Sequence, residues 1–140
     1  MAKENLTTFS ILMKRTGKTI ETNGGLLIRR TVMAIDRQLV KQTPVDTGLA
    51  RSNWLAGVNR ARTDTGPILG PAAAIALVRS QIATVKTGDY VVLSNNLPYI
   101  NRLNAGWSSQ APAQYVDVIV LNVATRAGQN VDVTKEIPDR

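Results

Sequence analysis

Between Asn23 and Gln42 the chain repeats apolar residues at a helical period, and at Thr43-Pro44 that period is cut. At 100° per residue, Ile28, Val32, Ile35 and Leu39 fall within roughly 60° of one another, while Arg30, Arg37 and Lys41 gather within roughly 40° on the opposite side. The segment therefore predicts a long amphipathic helix with a core face and a basic stripe. Proline's ring clashes with the preceding turn and disfavours helical geometry at the residue before it, so the helix ends here. Asp46 folds its carboxylate onto amides two or three residues on, and Gly48 supplies a permissive backbone. Thr43 to Trp54 is thus a helix stop, a tight corner and the launch of a new element.

The rest of the chain is organised around that corner. From Ser52 to about Arg60 the pattern alternates, with Trp54, Ala56 and Val58 on one side and Leu55, Gly57 and Asn59 on the other, which predicts a strand. Trp54 is expected to anchor the core against the long helix. Thr63 to Gly70 is a loop centred on Gly66-Pro67. Gly70-Pro71 opens a second helix, since proline suits the first helical position, and Ile75, Val78, Ile82 and Val85 share one face of it. A second strand runs from Tyr90 to Ser94, followed by a break at Asn95-Asn96-Leu97-Pro98 and one helical turn at Tyr99 to Leu103.

Pro112 can start a third helix that runs to about Ala127. The β-branched run Val116 to Val123 leaves a strand open, but helical spacing gathers Val116, Ile119, Val120, Val123 and Ala127 into one face. It also leaves Val118 and Leu121 on the polar side, where a subunit contact would bury them. Residues 1–22 read as an N-terminal arm or short helix docking through Phe9, Ile11, Leu12 and Met13. Residues 128–140 read as a polar tail with no clear period. The expectation is one α+β domain over 23–127, a long amphipathic helix and two further helices packed on a small antiparallel sheet.

Charge and composition then limit the chemistry. Among its 140 residues the chain has neither cysteine nor histidine. Disulfides, thiolate metal sites, histidine triads and the commonest metal ligand are all removed together. The carboxylates are scattered singly, with no helical pair at metal-binding spacing. Gly24-Gly25 lacks the lysine and hydroxyl of a nucleotide-cradling loop. The net charge is +7, and nearly all of it lies in residues 1–70, which hold eleven Lys/Arg against five Asp/Glu. Such an excess favours an acidic partner, phosphate or a carboxylate-rich surface. No signal-peptide core and no apolar run of membrane-spanning length appears, so a soluble protein made in a cytoplasm is expected.

One repetition bears on catalysis. Asp46-Thr47-Gly48 and Asp64-Thr65-Gly66 are both Asp-Thr-Gly, the tripeptide with which aspartic proteases hold two carboxylates about 3 Å apart. Neither copy follows an apolar strand, and proline directly follows the second. Turn chemistry accounts for both, and the chain reads as a non-enzyme without cofactor or metal.

Thr43-Pro44-Val45-Asp46-Thr47-Gly48, followed by Arg51 and Trp54, resembles the signature of the tail-completion, or head-to-tail joining, proteins of long-tailed bacteriophages. Phe9 to Gly17 is similar to that family's N-terminal segment. Ser94 to Ile100, continuing through Gly106-Trp107-Ser108 to Gln110-Ala111-Pro112, is similar to its C-terminal half. The pattern departs at Leu49-Ala50, which intervenes before the arginine, and at Asn104, where the resemblance implies an acidic residue. It implies a structural protein of the virion neck, forming a hexameric ring with DNA passing through the lumen without sequence-specific contact. The implied partners are the head connector or adaptor and the tail terminator or tube proteins. Arg51, Tyr99, Trp107, Val118 and Leu121 are the candidate contacts, since aromatics and arginine dominate interface hot spots. A tail terminator, a head-side adaptor and a non-specific nucleic-acid-binding module are the alternatives.

Overall fold

Four antiparallel strands form a sheet in the order β2-β3-β1-β4, with the helices supplying the rest of the core. The computed structural model describes residues 9–14, 25–127 and 130–135. In chain order they form β1 (Phe9–Lys14), α1 (Leu26–Gln42), α2 (Leu49–Ser52), β2 (Leu55–Val58), α3 (Pro71–Gln81), β3 (Val91–Asn95), α4 (Ile100–Asn104), α5 (Tyr115–Ala127) and β4 (Asn130–Lys135). The fold is α+β, with α1 lying between α3 and α5.

Cross-strand partners Ala56, Leu93, Ile11 and Val133 make one row across the sheet. The first three belong to the core with Val32, Ile35, Leu39 and Trp54, so at Ala56, Leu93 and Ile11 the sheet faces the helices. The open edge of β2 is partly closed by a side chain, because the Ala56 N–H donates to Gln81 Oε1 at 2.8 Å.

Three expectations change here, the first at Leu49–Ser52, where the corner forms the short helix α2 and the strand expected from Ser52 begins only at Leu55. Residues 9–14, expected as part of an arm or short helix, are an inner strand paired with both β3 and β4. Ile11 docks into the core as expected, but through the sheet. Residues 130–135, expected within a polar tail, form an edge strand on β1. Val131 and Val133 alternate with Asn130, Asp132 and Thr134, a weak period of two that becomes a strand only when a partner supplies the ladder. The remainder of 1–22 and of 128–140 lies outside the described residues.

The long helix ends as its sequence requires. Thr43 is extended, and its N–H closes the last turn on the Leu39 carbonyl. At the start, Gly25 sits at φ +87°, and a Cβ there would come within 2.9 Å of the Val85 carbonyl oxygen. Glycine thus lets the beginning of α1 abut the turn that follows α3. The helix buries more than its expected face: Met33, Asp36 and Val40 are buried beside Ile28, Val32, Ile35 and Leu39. A helix flanked on both sides by other helices buries a wider arc than one lying on a sheet.

The α5 segment is helical, which decides between the two readings of its β-branched run. Val116, Ile119 and Val120 point into the core, with Val123 packed at its margin. Among the described residues no helix is long and apolar enough to cross a membrane.

Candidate functional site at the Thr43–Trp54 corner

Thr43 is the buried pivot of the corner. Its Oγ1 accepts the Trp54 indole N–H at 3.0 Å and the Tyr115 hydroxyl at 3.2 Å. Helix α1, the strand launch and the first turn of α5 therefore meet on one oxygen. Trp54 and Tyr115 are both fully buried, and burial pushes the Tyr115 hydroxyl up to about 12, so it remains a donor at any physiological pH.

Beyond Thr43 the corner is held by amide side chains. Gln110 accepts the Val45 N–H at 2.7 Å and donates to the Val45 carbonyl at 2.9 Å. Asn95, at the end of β3, donates to the Ala50 carbonyl at 2.9 Å. Gly48 adopts φ +93°, and α2 begins directly after it. Ser52 Oγ donates to Gly48 O at 2.6 Å and accepts the Leu69 N–H at 2.8 Å. Asn53 donates to Leu49 O and Gly66 O and accepts the Gly66 N–H at 2.7 Å. The Ser52-Asn53 pair thereby ties the 63–70 loop to the corner and satisfies backbone groups that irregular chain leaves open.

The corner and the segments after β3 enclose a cleft of about 500 Å³. Pro44, Leu49, Leu103 and Tyr99 supply apolar lining, and Asp46, Ser108 and Gln110 supply polar groups. The Tyr99 hydroxyl is shifted upward, first by burial and then by the Asp46 carboxylate.

The expected site residues divide between this cleft and other surfaces. Pro44, Asp46, Gly48 and Tyr99 line the cleft, whereas Trp54 lies beneath it in the core. Arg51 is half-buried against Gly48, with its Nε enclosed and unpartnered. Trp107 is 74% exposed and carries the Arg102 guanidinium 5.4 Å from its ring centroid. Val118 and Leu121 project from α5 into solvent, with Leu121 66% exposed. Arg30, Arg37 and Lys41 are exposed on α1, as the stripe requires.

The two Asp-Thr-Gly copies do not meet. Asp46 lines the cleft, whereas Asp64 lines a separate groove with Gly57 and Arg60 and is paired with Arg62 at 2.8 Å. That pairing holds the Asp64 carboxyl below its usual range. A shared-proton dyad requires adjacent carboxylates with one pushed up, and this arrangement does the opposite at Asp64.

Several residues central to the site carry no strong local signal. Thr43 and Asn53 look like ordinary turn residues in the sequence. Asn104 sits where the resemblance implies an acidic residue. It is buried, its Oδ1 accepts the Val116 N–H at 2.9 Å, and its Nδ2 donates to Asp117 at 2.8 Å. It thus caps the start of α5 from outside the helix. An amide performs both tasks, and a carboxylate would face Asp117 with like charge.

Comparison with models of known protein families, with characterised proteins and with solved structures finds no match for this chain.

Proposed function

We propose that this chain is a structural virion protein of a phage neck, forming a ring, most simply a hexamer, that completes the tail and joins it to the head connector. The observation that carries this reading is the convergence of its motif stretches. Val45 and Gln110 stand 65 residues apart and are bonded twice, and Asn95 holds Ala50 from 45 residues away. Two of the three motif stretches, with no local reason to meet, interlock at one corner, as expected of a structural unit rather than a reaction centre.

The exposed side chains support a role in assembly. Trp107, Val118 and Leu121 are large apolar groups left in solvent, the residues a subunit or partner contact would cover. In the ring, these side chains and the Asp46–Tyr99 cleft meet neighbouring subunits, the connector or adaptor above and the terminator or tube below. Genomic DNA passes through the lumen. A tail terminator or head-side adaptor would use the same surfaces in a different layer.

Electron microscopy of a lysate from a phage carrying an early stop codon in this gene tests the reading. Filled heads beside separate, full-length tails are expected. Intact infectious particles would overturn the joining role.

A further inference from the structure

The basic stripe of α1 does not end at that helix. Arg29, Arg30 and Arg37 line a groove of about 320 Å³ with Arg79 of α3, over Met33 and Ile82. On the other flank, Arg37 shares a groove of about 430 Å³ with Arg126 of α5. Three helices distant in sequence therefore present one continuous band of guanidinium groups across the outer side of the helical layer.

Nothing on these helices neutralises the band. The acids of α1, α3 and α5 are Asp36 and Asp117 only. Asp36 is fully buried, and Asp117 is held by Asn104 at the opposite end of α5 from Arg126. Among the described residues the one ion pair is Arg62–Asp64, so Arg30, Arg37, Arg79 and Arg126 have no carboxylate partner there. Burial pushes the Asp36 carboxyl up to about 8, so near neutral pH it offers Arg37 little negative charge.

We propose that this band binds the phosphate backbone of duplex DNA without reading its sequence. A guanidinium presents a planar fork that matches phosphate, and a row of them tracks a repeating backbone charge. The groove between α1 and α3 favours phosphate over an acidic protein, because Met33 and Ile82 at its floor are buried and leave no exposed apolar anchor; the groove with Arg126 also carries the exposed Val118, so the phosphate contact centres on Arg30, Arg37 and Arg79, with Arg126 at its margin. Protein interfaces centre on such anchors, whereas DNA interfaces are dominated by positive charge. The band also lacks an exposed aromatic on which unpaired bases would stack, which favours duplex over single strand. That the DNA is a genome in transit rests on the neck reading; the contact itself does not.

Fluorescence anisotropy of the purified full chain with a labelled duplex of mixed sequence tests the proposal. With Arg30, Arg37, Arg79 and Arg126 each meeting a phosphate, affinity falls on the order of a hundredfold between 50 and 200 mM NaCl. The triple variant Arg30→Gln, Arg37→Gln, Arg79→Gln, checked for folding by circular dichroism, is expected to bind weakly and to fall only about three- to fourfold over that range. Arg30→Gln alone and Arg79→Gln alone each lower the salt slope by about one, whereas Arg60→Gln, in the groove with Asp64, leaves it unchanged. Failure of the wild type to bind duplex at 50 mM NaCl would overturn the proposal, as would an unchanged slope in the triple variant. Tighter binding to polyglutamate than to the duplex would overturn it in favour of an acidic protein partner. Binding and the lysate phenotype are read independently, so either reading can fail without the other.

Discussion

Gln110 holds Val45 by both ends of its side-chain amide, accepting the N–H at 2.7 Å and donating to the carbonyl at 2.9 Å. The pairing imitates a strand contact and fixes the loop after Trp107 against the corner after α1. Because the contact is exposed, Gln110→Ala is expected to cost only about 1 kcal/mol in urea denaturation. Its larger effect falls on the cleft, where faster amide exchange at Val45 would report the loosened corner.

Thr43 is the less forgiving partner. Thr43→Val keeps the shape but takes the acceptor from both the Trp54 indole and the Tyr115 hydroxyl, in the core. The expected loss is about 2–6 kcal/mol, since each of the two buried donors stranded costs about 1–3 kcal/mol. Thr43→Ser retains the oxygen and should recover most of that stability in the same denaturation series.

Asp36 makes stability depend on pH. Its carboxyl lies at about 8 in the folded chain against an ordinary value of 3.8, raised by burial and only partly opposed by Arg37, and neither oxygen has a hydrogen-bond partner. Below the ordinary value both states are protonated and the group has no effect. As pH rises from about 4 to about 8 the unfolded chain releases the proton first, so this contribution to stability falls, and above that range the loss is complete. Asp36→Asn removes the titration. The variant should be more stable than wild type at pH 7.5 by several kcal/mol, since each tenfold difference in proton affinity between the two states is worth about 1.4 kcal/mol. The difference should vanish near pH 4, as measured by denaturant midpoints across the range.

Asn104 serves two neighbours at once. Asn104→Asp keeps an acceptor for the Val116 N–H but replaces the donor to Asp117 with a second negative charge. The expected cost is about 2–4 kcal/mol at pH 7, visible as a lowered urea midpoint and a frayed first turn of α5 by amide exchange.

On the proposed ring, Val118 and Leu121 are the side chains at which folding and assembly can be separated. Both are exposed, so Val118→Asp with Leu121→Asp should shift the stability of the isolated subunit by less than about 1 kcal/mol. The same double variant should fail to form rings in sedimentation and electron microscopy. Rings that form normally would show that this face is not a subunit contact.

Much of the architecture was legible because it depends on local rules. The helix stop at Thr43-Pro44, the opening of α3 at Pro71, the short α4 and the inward face of α5 each follow from a periodicity or a backbone restriction within a few residues. The exposure of Val118 and Leu121 was visible too, because an apolar side chain off the periodic face has no core to enter.

The strands β1 and β4, the burial of Asp36 and the Asn104 cap all depend on contacts between segments remote in the chain. A strand is stabilised by a ladder whose partner is remote, here β3 for β1 and β1 for β4, and six residues carry no record of it. Asp36 lies beyond the apolar stripe, and only the presence of helices on both sides of α1 turns that position inward. The arginine band follows the same logic. Helical periodicity was enough to place a basic stripe on one helix, but packing brought Arg79 and Arg126 beside it, because adjacency between helices is set by the shape of the core rather than by separation along the chain.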